Sequence, residues 1–461
     1  MASAAEQMAA NLSWGTFAKA KELRQRIWFT IGLLCIYRLG TYIPVPGIDG
    51  AALRSFMADA QGGLGGMLTM FTGGALARMG VFALGIMPYI SASIIVQLLS
   101  SMMPSLQALK KQGEQGRKKI NQYTRYGTVG LALVQAYGLA KGLEASDMVN
   151  DPGLFFQASV VITLVGGTMF LMWLGEQITE RGIGNGISLI IFVGIIAELP
   201  QQMAVFLSQG RVSDVSPMVY VAALAMIIGV LVFVVFMERA LRKIRIQYPR
   251  RQVGMKIYDG QSSHLPMKVN PAGVIPPIFA SSLLLMPATV STFRGSNGGD
   301  VSPIMATVMA YLGPGQPLYL ALMAVMLVFF TYFYTENVAF KVDEVAENLK
   351  NQGGFVPGIR PGKKTEDYLF YVLRRVLVLG SAYLTFIVLL PEFIRGRMSI
   401  PVALGGTSLL IVVSVTMDTI NQIQSHLLAH QYEDLIENSQ LRGRRKPGKS
   451  KATTRRGPAR R

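Results

Sequence analysis

The chain has 461 residues, 51% hydrophobic and only 15% charged, against about 25% charged in an average soluble domain; that balance excludes a soluble globular protein. A formal net charge of +18 requires the cations to gather in the parts that meet water. Cys35 is the single cysteine, which excludes an internal disulfide and a thiolate metal cluster.

Residues 1–26 read as a cytoplasmic segment carrying Lys19, Lys21, Arg24 and Arg26. Within it Trp14, Phe17 and Ala18 share one helical face against Lys19 and Lys21, which suits a helix lying on a membrane surface and a solvated helix nearly as well. The first apolar run ends in IPVPG with no small-residue cleavage site, so it reads as a retained span rather than a signal peptide.

Ten segments qualify as membrane spans: 27–43, 81–103, 124–140, 154–175, 183–197, 215–237, 270–293, 317–335, 376–391 and 398–417. The third and fifth are short, with Glu198 closing the fifth. Between spans one and two, Gly66 to Met79 is apolar but broken by Thr69 and by Gly73–Gly74, and it ends at Arg78. A run of that length reads as a re-entrant, buried or interfacial half-helix rather than a crossing. Non-helical backbone at membrane depth survives only where protein walls it in or water fills a cavity.

Charge gives the orientation. Of the 44 lysines and arginines, 36 fall in the termini and in alternate loops; the intervening loops hold 7, and Arg38 sits inside the first span. That alternation predicts ten crossings with both termini in the cytoplasm. Five spans per half, at 27–210 and 211–425, make the halves opposite in orientation, the parity of an inverted repeat with a site between its halves. Loops 238–268 and 336–375 are long enough to project from the membrane. Residues 426–461 read as a basic, largely disordered tail.

No acidic residue falls near a predicted midplane, where ion-coupled transport would want one. His264, His426 and His430 form no metal or catalytic motif, and no phosphate-binding loop is present. An enzyme is therefore not expected; an inverted-repeat transporter for a small solute stays as the alternative. The spans instead offer isoleucine pairs four apart, Ile86 with Ile90 and Ile187 with Ile191, each on one helix face. They suit either ordinary packing or a dry constriction that excludes water.

The stretches GGALARMGVFALGIMPYISASIIVQLL, GEQITERGIGNGISLIIF, QSSHLPMKVNPAGVIPPIFASS, GGFVPGIRPG and GGTSLLIVVSVTMD closely resemble the SecY family, the central subunits of bacterial protein-conducting channels. The likeness runs from about Arg24 to Asn438. It implies an all-α membrane protein with two inverted five-helix halves around a pore, in the bacterial inner membrane and with no cofactor. A plug would fall on 66–79, including Gly66, Met67, Leu68, Met70, Phe71, Gly73, Gly74, Leu76 and Arg78. A pore ring would comprise Ile86, Ile90, Ile187, Ile191, Ile278 and Ile411. A lateral gate, through which signal peptides and membrane segments of nascent chains leave for lipid, would set Ser91, Ile94 and Gln97 against Ser282, Met286 and Val290. The basic loops resemble docking sites for the ribosome and the SecA motor, here Lys243, Arg245, Arg250, Arg251, Lys256 and above all Arg360. Membership also implies SecE and SecG as partner subunits. Two departures stand out: Pro276–Pro277 where the family has one proline, predicting a different bend near Ile278, and Met255–Lys256 where an arginine pair is common, so no ribosome contact is carried onto Met255.

Overall fold

The computed structural model describes residues 21–50, 53, 69, 72–145, 148–212, 217–249, 251–253, 256–258, 262–284, 316–398 and 405–443. In chain order the helices are α1 (Lys21–Gly40), α2 (Met87–Met102), α3 (Pro104–Lys111), α4 (Glu114–Ala145), α5 (Leu154–Arg181), α6 (Gly186–Val212) and α7 (Pro217–Glu238). After four strands come α8 (Ile275–Leu284), α9 (Pro317–Tyr334), α10 (Val342–Asn351), α11 (Lys363–Met398) and α12 (Gly406–Gly443).

A helix overlaps each of the ten predicted spans. By length and composition, five of the described helices can cross a membrane, within α5, α6, α7, α9 and α11, and a sixth if α2 and α3 count as one. That pair is bent by 97°. Pro104 forces Met103 into an extended conformation (ψ 121°), because a residue before proline is driven out of the helical region. The basic end of α3, Lys110–Lys111, thus turns aside instead of continuing the crossing.

Several boundaries differ from the sequence reading. The fifth span does not end at Glu198: α6 runs through it and through Pro200, to Val212. The second helix starts at Met87, not 81, because residues 72–86 are tight turns. Gly73, Gly74 and Gly85 all adopt positive φ there, a conformation that glycine enters freely and that breaks a helix. From Thr72 to Met79 the expected half-helix is therefore turn. The last helix passes the expected tail boundary at 425 and reaches Gly443. Trp14, Phe17 and residues 444–461 lie outside the described residues.

Loop 238–268 is not irregular. β1 (Leu241–Gln247) pairs antiparallel with β4 (Ser262–Lys268), from Leu241 opposite Lys268 to Gln247 opposite Ser262, and β2 (Arg251–Val253) pairs with β3 (Lys256–Tyr258) at the tip. Alternation in LRKIRIQ buries Ile244 and Ile246 and exposes Lys243 and Arg245, the two-residue period of a half-buried strand. The buried face packs on Val342, Ala346 and Leu349 of α10 and on Val356, Leu369 and Leu373. Gln247 and Phe355 exchange backbone hydrogen bonds of 2.9 Å. The two long loops thus form one apolar-centred body.

The main apolar cluster joins α2, α5, α6, α7, α8, α9, α11 and α12. A second one, around Val45, Met79, Ala132, Ala136 and Val160, packs the turns after α1 onto α4 and α5.

Candidate functional site

Five of the six predicted ring isoleucines are buried in the main cluster: Ile86, Ile90, Ile191 and Ile278, none more than 6% exposed, and Ile411 with no exposure. Ile187 is partly buried and packs against them. Ile86 is the residue before α2 and Ile90 lies in its first turn. Ile187 and Ile191 open α6, Ile278 lies near the start of α8, and Ile411 is in α12. Four helices from both halves of the chain therefore bring isoleucine to one apolar zone. Beside it Tyr37, Gly85, Ile86, Ile90, Leu171 and Ile191 line a crevice of ≈ 10 Å³, about room for one water.

Local sequence explains the placement. Pro88 occupies the first turn of α2, where a missing N–H costs nothing and φ is already helical. Pro276 and Pro277 do the same in the first turn of α8. The second proline therefore fits a helix start, and residues 271–274 before α8 are turn. Gly85, at φ +57°, backs onto Thr72, where an added Cβ would approach the methyl to 3.1 Å.

Of the predicted plug, Gly73, Gly74, Leu76 and Arg78 are described; Gly66, Met67, Leu68, Met70 and Phe71 lie outside the described residues. Arg38 Nη1 donates to the Gly73 carbonyl at 2.6 Å, and Tyr37 Oη donates to the Thr72 carbonyl at 3.4 Å. Gly73 faces Gly194 of α6, whose Cα would lie 2.9 Å from an added Cβ. Leu76 packs into the second cluster. The guanidinium groups of Arg38 and Arg78 stand over the Tyr42 ring, 5.0 and 4.5 Å from its centroid.

Arg78 Nη2 lies 3.6 Å from Glu198 Oε1, a carboxylate only 8% exposed. The separation makes this an ion pair rather than a hydrogen bond, and Arg78 Nη1 and Glu198 Oε1 have no hydrogen-bond partner among the described residues. Gly74 abuts the same carboxylate, where an added Cβ would collide. Sequence reasoning missed Glu198 by treating it as a span end. The available signal was one acid in an apolar run together with two membrane-level arginines, Arg38 and Arg78.

Of the predicted gate residues, Ile94 is buried in the main cluster, whereas Ser91 and Gln97 are half-buried, Gln97 donating to Ser93 Oγ at 3.1 Å. Ser282 Oγ on α8 donates to the Ile278 carbonyl at 2.7 Å and reaches Met87 Sδ on α2 at 3.9 Å, so the two helices touch near the isoleucines. Met286 and Val290 lie outside the described residues.

Among the predicted docking residues, Lys243 and Arg245 project from the exposed face of β1. Arg360 is exposed in the turn between Gly358 (φ +83°) and Gly362 (φ +100°). Its carbonyl accepts from Thr365 Oγ1 at 2.9 Å, which ties the turn to α11. Arg251 and Lys256 are placed in β2 and β3 by their backbones, and Arg250 lies outside the described residues.

Comparison with known proteins gives a consistent result. The SecY family model matches residues 80–420. The chain is 50% identical over 426 residues to the protein translocase subunit SecY of Escherichia coli strain K12, covering 92% of this chain and 96% of that one. Its fold is similar to a solved structure described as a protein conducting channel, with TM-score 0.62, 20% identity and coverage of 87% and 92%. It is also similar to Sec61 in the canine ribosome-channel complex from the endoplasmic reticulum, with TM-score 0.58, 19% identity and the same coverage. From the matched length and the identity, this chain belongs to the SecY family.

Proposed function

We propose that the chain is the pore-forming subunit of a protein translocase in the bacterial inner membrane. It passes unfolded secretory chains across the bilayer and releases membrane segments sideways into lipid. The observation that carries this reading is the convergence of isoleucine from α2, α6, α8 and α12, drawn from both halves, on one apolar zone. In this reading ten helices cross, with both termini cytoplasmic and the five-span halves at 27–210 and 211–425 inverted. Ile86, Ile90, Ile187, Ile191, Ile278 and Ile411 form the waist.

The mechanism follows from solvation. A chain crossing bare hydrocarbon would expose backbone groups costing several kcal/mol each. A narrow apolar waist between two aqueous funnels lets it pass with hydrated backbone on either side and little leakage when idle. The turns at 73–79, with the rest of 66–79, seal that waist, held by Arg38, Glu198 and the close Gly73–Gly194 contact. Parting α2 from α8 opens the gate lined by Ser91, Ile94, Gln97, Ser282, Met286 and Val290. A leucine-rich segment then gains about 0.3–0.6 kcal/mol per apolar residue by entering lipid. Such a gate needs only partitioning, so the drive comes from partners. The solved Sec61 relative is a ribosome-channel complex; here the basic faces at Lys243, Arg245, Arg250, Arg251, Lys256 and Arg360 serve the ribosome and the SecA motor, with SecE and SecG as companion subunits.

Reconstitution tests the reading. Vesicles carrying the chain with SecE and SecG should take up an unfolded secretory protein when SecA and ATP are added. Ion-driven uptake of a small solute without protein uptake would instead establish the transporter.

A further inference from the structure

We infer that the cleft between α9 and α11 binds the headgroup of an ethanolamine phospholipid, its phosphate on Arg375 and its amine toward Asp367. The cleft has a volume of ≈ 700 Å³ and lies where both helices change from apolar to charged. α9 is apolar from Pro317 to Tyr334, and the first charge after it is Glu336, in the π-helical turn Thr335–Ala339 that continues it; α11 carries charges as far as Arg375 and then none until Glu392. Just past that boundary the exposed side chains are apolar, with Val378 56% and Leu379 63% exposed on α11 and Phe329 51% on α9. The cleft therefore opens at headgroup level, bordered by Tyr332 and Tyr371 as aromatic side chains at a membrane interface commonly are.

Its charges are arranged in depth. Arg374 lies over the Phe370 ring at 4.4 Å, and Arg375 over the Tyr371 ring at 4.3 Å, so both side chains run back one turn away from the apolar surface. Arg374 Nε donates to Glu336 Oε1 at 3.2 Å, which neutralises both and pins α9 to α11. Among the described residues Arg375 and Asp367 have no ion-pair partner. Asp367 stands four residues beyond Tyr371, about 6 Å farther from the apolar surface along the helix.

A cation nearer the lipid and an anion one turn above it mirror a zwitterionic headgroup, in which the phosphate adjoins the glycerol and the amine lies beyond it. Arginine stacked on a ring is well suited to a phosphate, being weakly hydrated and offering several N–H donors. The carboxylate selects the amine: an ethanolamine ammonium donates hydrogen bonds to it, a choline ammonium has no N–H, and a glycerol headgroup brings no cation. Only the membrane-spanning character of α9 and α11 is required, so the inference holds whichever way the chain is oriented.

The test is native mass spectrometry of the assembled complex taken from nanodiscs holding equal parts of ethanolamine, glycerol and choline phospholipids. Wild type should retain the ethanolamine lipid about tenfold over the choline lipid, the worth of one charge-assisted hydrogen bond. Asp367→Asn should abolish that preference while phospholipid is still retained, and Arg375→Gln should lower retention of all three. A photocrosslinking amino acid at position 371, in an otherwise wild-type chain, should capture lipid. Equal retention of the three lipids by wild type, an unchanged preference in Asp367→Asn, or capture of a protein subunit at position 371 would overturn the assignment.

Discussion

Replacing Glu198 with glutamine keeps the shape of the side chain and removes its charge, leaving Arg78 without its counter-ion. Breaking a fully buried pair costs about 3–5 kcal/mol. This pair is looser: Arg78 is 35% exposed and the ions stand 3.6 Å apart without a hydrogen bond. Solvent screening brings the expected loss to about 1–2 kcal/mol. Because the pair joins the turns at 73–79 to α6, the loss falls on the sealed state. A shift of that size changes the ratio of sealed to open channels by about 5–30-fold. Resting ion conductance in planar bilayers should rise accordingly for Glu198→Gln and to a similar extent for Arg78→Gln. The double variant should add little to either, since both remove the same interaction. Wild-type conductance in both single variants, or full additivity in the double, would refute the latch.

Three further outcomes are expected. Ile90→Asn or Ile191→Asn places an amide in a zone where both side chains are at most 6% exposed, and should wet the waist and raise bilayer conductance; unchanged conductance in both would return these residues to simple packing. Arg360→Glu should block SecA-driven translocation in vesicles at normal protein level and SecE association, because the flanking glycines and the Thr365 bond present this side chain at a fixed turn; normal translocation would dismiss the contact. In a Cys35→Ser background, Ser91→Cys with Met286→Cys should oxidise to an internal disulfide that stops bulky chains until reduced, whereas Ser91→Cys with Met226→Cys should not; equal linking of the control pair would remove α2 and α8 from the gate.

Much of this architecture is legible in the chain because the membrane demands it locally. Each crossing must be a continuous apolar run, so a helix falls on every predicted span. The isoleucines of α2 and α6 show their shared faces through four-residue spacing, but Ile278 and Ile411 carry no local mark and are identified through family motifs. Glu198 was misread because its meaning is tertiary: its partner Arg78 is far off in sequence, and without that partner a lone acid looks like the end of a span. The same holds for residues 72–86, where glycines at positive φ turn an apolar stretch that reads as helix into a string of turns. The β1–β4 hairpin was legible and overlooked. LRKIRIQ alternates with a period of two, but the apolar partner that makes burial of Ile244 and Ile246 worthwhile lies about 100 residues away in α10.

The central claim is that a translocating chain passes between the isoleucines of α2, α6, α8 and α12. Single cysteines at Ile90, Ile191, Ile278 and Ile411, in the Cys35→Ser background, should each crosslink to a cysteine in a secretory chain stalled midway. A cysteine at Val232, exposed on the outer face of α7, should not. Crosslinks at Val232 with none at the four isoleucine positions would contradict the account.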